Sequence, residues 1–337
     1  MNFNVNEIGC AYEKFNSEKT ILKSVKPRLP EEYTVPAGVL EIGKKAFYKR
    51  QNYKKIRLPY GLRAIREMAF EDCKNLESIV IPETVTEIEP RAFFGCKSLK
   101  RVILPPDIKI VSESLFEDCH SLEYVYIPSS VIRIDDRAFL NCYRLSEINT
   151  PSGLVIIGGQ AFQRCCNLKK VYFAEGIRTI SSQAFIMCDN LKEIVLPKSL
   201  KTLGYGAFAG CVNVEKIEIH SRLTTIAPHT FSGCKKVKHI RLYETAEKIG
   251  WRSFAYNDSL EEICLPNGLI EIGPEVFLNC HGLEKVFVPS TVQTIGNDAF
   301  AICRSLQKPT VYCCIQAEKG SYAIEYAKEY GIPYEEM

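Results

Sequence analysis

A phenylalanine recurs at one fixed interval along most of this chain. Phe47, Phe70, Phe93, Phe116, Phe139, Phe162, Phe185, Phe208, Phe231, Phe254, Phe277 and Phe300 are each separated by 23 residues, with no insertion or deletion. Counted from Pro36, twelve such periods run from 36 to 311, leaving 35 residues before them and 26 after. A chain of 337 residues would otherwise be divided into two or three ordinary domains. Strict periodicity overrides that division, because repeats of this length fold as stacked coils.

The period from Phe93 shows what one coil contains. Phe93 is followed by Cys96, Leu99, Val102, Leu104, Pro105, Ile108 and Val111 before the next Phe. Val102-x-Leu104 alternates as a short strand does. Pro105 has no N–H to give a ladder, so the strand ends there. The spacing of Phe93, Cys96 and Leu99 suits one helical turn. A single coil holds about eight inward side chains, too few to close a core, so each coil must bury its neighbour. Successive strands then pair in parallel at ~4.8 Å, giving a sheet roughly 50–55 Å long. Both ends need caps to cover open edges.

The pattern Cys-x-x-Leu-x-x-Ile-x-Ile-Pro-x-x-Val-x-x-Ile-Gly-x-x-Ala-Phe, nearly intact over 73–93 and 280–300, resembles the BspA-type leucine-rich repeat. The resemblance covers 36–311. It implies a right-handed repeat solenoid, a β-rich horseshoe or arc with a parallel concave sheet and short convex helical turns or strands. The tail from Gly320 to Pro333 resembles the C-terminal cap of that family, a strand, helix and strand over 312–337, with Ser321 starting the helix and Gly331 ending it. Residues 1–35 are expected to form a hairpin-like N-terminal cap. Members of the family are described as surface adhesins that bind matrix or other cell-surface proteins. The resemblance therefore implies a non-catalytic, protein-binding solenoid.

Ten of the fifteen cysteines fall in one column of the repeat, from Cys73 to Cys303, with Arg50 and Asn257 as the exceptions. In stacked coils such thiols point the same way, which is poor geometry for disulfides. They read as small buried hydrophobes at a tight turn, and the Asn257 amide is expected to hold the same turn by hydrogen bonds. Cys10, Cys166, Cys264, Cys313 and Cys314 lie off the column, and Cys313 and Cys314 should face opposite sides of a terminal strand. No Cys-x-x-Cys, P-loop lysine, HExxH or GxGxxG occurs. Cys119-His120 and Cys280-His281 pair a column cysteine with its sequence neighbour, which does not make a nucleophile pair. His239, Glu262 and Cys264 are the nearest approach to a metal-ligand set. No catalytic residue, cofactor or metal is assigned.

Lys and Arg number 43 against 40 Asp and Glu, a net +3. The basic positions are interrupted by Glu77, Glu123, Glu147, Glu193, Glu215 and Glu261, so nucleic acid is not expected as a partner. No apolar run reaches the ~18–20 residues that span a bilayer, and no signal peptide is seen near the start. The sequence does not fix a location: the family resemblance favours the cell surface or secretion, and an intracellular protein-interaction scaffold is the alternative.

The strand face is the candidate site. Ten residues after each Phe stand Arg57, Val80, Ile103, Tyr126, Asn149, Tyr172, Val195, Glu218, Arg241, Cys264, Phe287 and Thr310. Two residues earlier stand, among others, Arg101, Tyr124 and Lys170. Val80, Ile103, Tyr124, Tyr126, Tyr172 and Val195 are expected to form an apolar and aromatic patch flanked by Arg101 and Lys170, the usual form of a protein interface, with Asn149 of the same column a further candidate contact. Exposed aromatics also stack on sugars, so a glycan is a second kind of ligand. A second irregular stretch, 214–257, carries the only tryptophan, Trp251, at a position where other repeats place Lys44, Glu67, Asp136 or Asn297. Trp251 is expected to be at least half-exposed and is a further candidate contact.

Overall fold

The computed structural model describes residues 13–26, 31–303 and 313–337. Cys10 and Thr310 lie outside the described residues. Two compact units, Met1–Leu154 and Val155–Met337, divide the chain, and each is a parallel-strand β-solenoid. In the first unit the strands Glu32–Thr34, Lys55–Arg57, Ser78–Val80, Arg101–Ile103 and Tyr124–Tyr126 make one parallel sheet. The register advances by one repeat per strand, pairing Lys55 with Ser78 and Ile103 with Tyr126. Alternation sets each strand's two faces: Val102 is buried between exposed Arg101 and Ile103. A second parallel ladder of two-residue strands, including Glu41–Ile42, Ala64–Ile65 and Glu87–Ile88, runs on another side of the coil. It begins on Ile21–Val25, which pairs antiparallel with Glu13–Phe15.

The core is a file of rings. From Phe47 to Phe139 adjacent phenylalanines stack with centroids 4.9–5.6 Å apart, and from Phe162 to Phe300 at 5.0–6.0 Å. All but Phe300 are fully enclosed. Each ring thus covers the one before it, which is why the period admits no insertion.

The segment around each Phe is not a helical turn. Residues two before and two after the Phe adopt left-handed backbone, as at Arg91 (φ 60°) and Gly95 (φ 68°). Alternate N–H groups then leave the coil. Those of Arg91, Phe93 and Gly95 donate to Glu113, Leu115 and Glu117 of the next coil at 3.0, 3.1 and 2.8 Å. Those of Ala92, Phe94 and Cys96 close three-residue turns within their own coil. A helical turn would have kept every N–H inside one coil. The observed alternation satisfies the same donors and joins neighbouring coils with them.

In the second unit the strand-face ladder is not continuous. Glu193–Leu196 pairs with Lys216–Ile219, His239–Arg241 with Glu262–Cys264, and Lys285–Phe287 with Cys314–Ala317, but these sets are not joined to one another. One long sheet was the expectation. The break after Lys216–Ile219 falls where His220 replaces the strand-ending proline: its N–H is free to donate, and it does so backward, to Leu196 at 3.3 Å. After Cys314–Ala317 come a helix, Tyr322–Tyr330, and a last strand, Tyr334–Glu336. Gly331 ends the helix at φ 65°. Ser321 occupies the capping position, yet its side chain makes no capping bond and its hydroxyl is buried without a partner.

Candidate protein-interaction surface

Strand alternation and stacking together project every outward side chain of the first unit's sheet into one field. The outward residues from Lys55–Arg57 to Tyr124–Tyr126 are Lys55, Arg57, Ser78, Val80, Arg101, Ile103, Tyr124 and Tyr126. Val80 is 76% exposed, Ile103 67% and Tyr126 49%. These are large apolar groups left in water on a hydrogen-bonded parallel sheet. Arg101 is exposed, with its guanidinium 5.9 Å above the Tyr124 ring. Tyr124 is half-buried, so it contributes less surface than its neighbours. Asn149 is exposed at the end of the strand Glu147–Asn149.

The remaining strand-face candidates belong to the second unit. Tyr172 is 51% exposed. The Lys170 ammonium lies 4.5 Å from its ring centroid and 3.1 Å from the Glu193 carboxylate. The Tyr172 hydroxyl, and then Glu193, hold the Lys170 pKa above its ordinary value. Val195, half-buried on Glu193–Leu196, pairs with Glu218. Farther along, Glu218 is gripped by Lys216 at 2.8 Å and His220 at 3.4 Å. Its neighbours Arg241 and Tyr243 help line a groove of about 470 Å³.

Trp251 is not on the strand face. It lies on the turn face and is 40% exposed. Its ring meets His229 edge-on at 4.6 Å, and His229 in turn meets Tyr205 at 5.3 Å. Trp251 Nε1 donates to Glu275 at 3.3 Å, and Arg252 donates to the same carboxylate at 2.8 and 2.6 Å. Sequence reading singled out Trp251 but not Tyr205 or His229. The signal was present: Tyr205 and Trp251 are the two aromatic residues in a column otherwise made of Lys, Glu, Pro, Asp, Gly, Ser and Asn.

Chemistry-bearing groups elsewhere do not converge. His239 Nδ1 lies 3.5 Å from Glu262, and Cys264 Sγ lies 3.8 Å from the same carboxylate. Among the described residues no three His, Cys, Asp or Glu side chains gather to hold a metal ion. Among them also, no helix is long and apolar enough to cross a membrane.

A profile of the BspA type leucine rich repeat region matches in six copies, over residues 30–146, 109–236 and 201–326. A leucine-rich repeat protein of Bacteroides ovatus shares the fold with a TM-score of 0.64 and 25% identity, over 96% of this chain and 97% of that one. A leucine rich cell surface protein of Faecalibacterium prausnitzii aligns with a TM-score of 0.52 and 24% identity, over 94% and 96%. The pneumococcal vaccine antigen PcpA aligns with a TM-score of 0.60 and 17% identity, over 94% of each. No curated protein sequence matches significantly. The profile spans most of the repeats and the fold agrees with it: the chain belongs to the BspA-type leucine-rich repeat family.

Proposed function

We propose that this chain is a non-catalytic protein-binding solenoid that recognises its partner through the strand face. The observation that carries the reading is the file of Val80, Ile103 and Tyr126, exposed on adjacent strands of one hydrogen-bonded sheet. Exposed apolar and aromatic groups held rigid lose little entropy on binding, which is what an interface anchor requires. Tyr172 with Lys170 offers the same chemistry in the second unit. Adhesion at a cell surface is the finer form of the reading, and it follows the described members of the family. Partners are sought among host or matrix proteins, with glycans as a second class.

Tyr126→Ala and Tyr172→Ala should each weaken capture of a host-surface or matrix protein while leaving the thermal unfolding curve in place. Unchanged capture in both variants would remove the strand face from consideration. Location is tested by protease treatment of intact source cells, with a cytosolic protein as control. Loss of this protein while the control survives supports the surface form. Protection until lysis would assign the same binding role to an intracellular scaffold.

A further inference from the structure

We propose that the strand face of the first unit receives an acidic amphipathic helix lying along the stacking direction, its apolar stripe on Val80, Ile103 and Tyr126. The inference rests on the protein-binding reading of this face and names the occupant.

Three observations select it. The first is backbone pairing. Arg101–Ile103 is hydrogen-bonded to Ser78–Val80 on one side and Tyr124–Tyr126 on the other. The strands that carry Val80 and Ile103 are thus flanked on both sides, so a peptide lying on these two residues cannot bind by joining the sheet. It must rest on side chains.

The second is spacing. Neighbouring strands set Val80, Ile103 and Tyr126 about 4.8 Å apart along the stack. Helical residues three and four apart repeat at about 5–6 Å on one face. Same-face residues of an extended chain repeat at about 6.8 Å and drift out of step after one contact. Two steps of the sheet, roughly 10 Å, correspond to about two turns of helix at 5.4 Å each.

The third is charge. The eight outward residues of these four strands include Lys55, Arg57 and Arg101 and no carboxylate. Glu32 approaches Lys55 at 4.0 Å and Arg57 at 3.6 Å. Arg101, on the same strand as Ile103, lies over the Tyr124 ring and joins no ion pair among the described residues. A ligand carboxylate flanking the apolar stripe would complete it.

The test uses the full chain and three probes. One is a synthetic peptide of about 18 residues, long enough to be helical, with Leu at every third and fourth position and Glu on both flanks. The second replaces Glu by Lys, and the third is heparin. The Glu peptide should bind the parent chain. Ile103→Asp should weaken it about thirtyfold, on the scale of an interface hot spot, and Arg101→Glu about tenfold. The Lys peptide should bind Arg101→Glu better than it binds the parent. Both substitutions are at exposed positions, and circular dichroism confirms that each variant is folded. Equal binding of the two peptides overturns the proposal, as does heparin binding without the Glu peptide. If Tyr126→Ala abolishes capture of a host protein but the Glu peptide does not bind, the interface reading stands and this occupant is wrong. If neither is seen, both fall.

Discussion

The Cys96 thiol donates to the backbone carbonyl of Phe70, one coil earlier, across 3.2 Å. Cys119 does the same to Phe93, Cys188 to Phe162 and Cys280 to Phe254, at 3.1–3.2 Å. The column is thus a file of S–H···O bonds running beside the Phe stack. Cysteine is small enough for the turn and carries one weak donor for a carbonyl that would otherwise lie in the core with a spare lone pair.

This predicts a sharp division among the thiols. The column cysteines are fully enclosed, and burial pushes Cys73 and Cys211 up to about 12. Cys264 is exposed, and Cys166 and Cys314 are half-exposed. Among the described cysteines, alkylation of the native protein at pH 8, followed by peptide mass spectrometry, should mark Cys264 first, then Cys166 and Cys314. The column should label only after denaturation. Early labelling of Cys96 or Cys188 would contradict the bonded file.

The same burial makes stability fall in alkali. A thiol whose folded pKa exceeds its unfolded value contributes full stability below the unfolded value, near 9, and loses it as pH rises toward the folded one. Between pH 9 and about 12 the unfolded chain ionises while the folded column does not. At pH 10 this amounts to on the order of 1 kcal/mol for each such thiol. Urea midpoints should therefore be level from pH 7 to 8 and drop steeply from 9 to 10. Cys73→Ala and Cys211→Ala, though less stable at pH 7, should show a shallower drop.

Asn257 breaks the file. Its amide was expected to hold the turn by hydrogen bonds, but both Nδ2 and Oδ1 are buried without a partner. Here a polar group larger than a thiol occupies the thiol's place and is not satisfied. Asn257→Cys should restore the donor and remove the orphans, stabilising the chain by about 1–3 kcal/mol. A lower urea midpoint for this variant would show that the amide is satisfied in solution.

The repeat was legible because stacking gives every residue of a column the same surroundings, so Phe, Leu and Cys recur visibly. The left-handed turns were not. They are held by residues such as Lys45, Met68, Arg91 and His229 far more often than by glycine, and it is the bonds to the next coil that impose the conformation. The strand-face candidates could be placed by alternation alone. The half-burial of Tyr124 could not, since it depends on how the ring lies against its neighbours. The split ladder of the second unit left a trace in His220 and Tyr243, which stand where proline usually does, but what those substitutions do to pairing is decided by backbone donors that sequence patterning does not show.

Gly204 is fixed by close approach. A Cβ there would lie 2.4 Å from the Ser182 nitrogen and 2.6 Å from the Ser181 carbonyl carbon, both backbone atoms of the preceding coil. Neither can rotate away as a side chain would. Gly204→Ala should cost about 1–3 kcal/mol as overpacking, against the usual gain from lower unfolded-state entropy. Gly38, with nothing within 4 Å of its Cβ position but φ at 88°, is the control: alanine there adds backbone strain without collision. A Gly204→Ala variant as stable as the parent would show that the coils can slide apart at this point.

Trp251 reports on His229. It is the only tryptophan in the chain, and the imidazole meets its ring at 4.6 Å. Burial, and then the Arg252 cation, hold the His229 pKa below 6.5, opposed by the Glu275 carboxylate. The folded state therefore favours neutral imidazole. Its contribution to stability is complete above pH 6.5 and is lost as pH falls from there through the lower folded value, because the unfolded chain takes up the proton first. An imidazolium against indole quenches emission, so Trp251 fluorescence should fall on acidification with a midpoint below 6.5. His229→Gln should abolish that titration, and Glu275→Gln should move the midpoint lower still by removing the one group that favours the proton. If His229→Gln leaves the titration unchanged, its source is the Glu275 carboxylate acting on Arg252 and Trp251 rather than the imidazole.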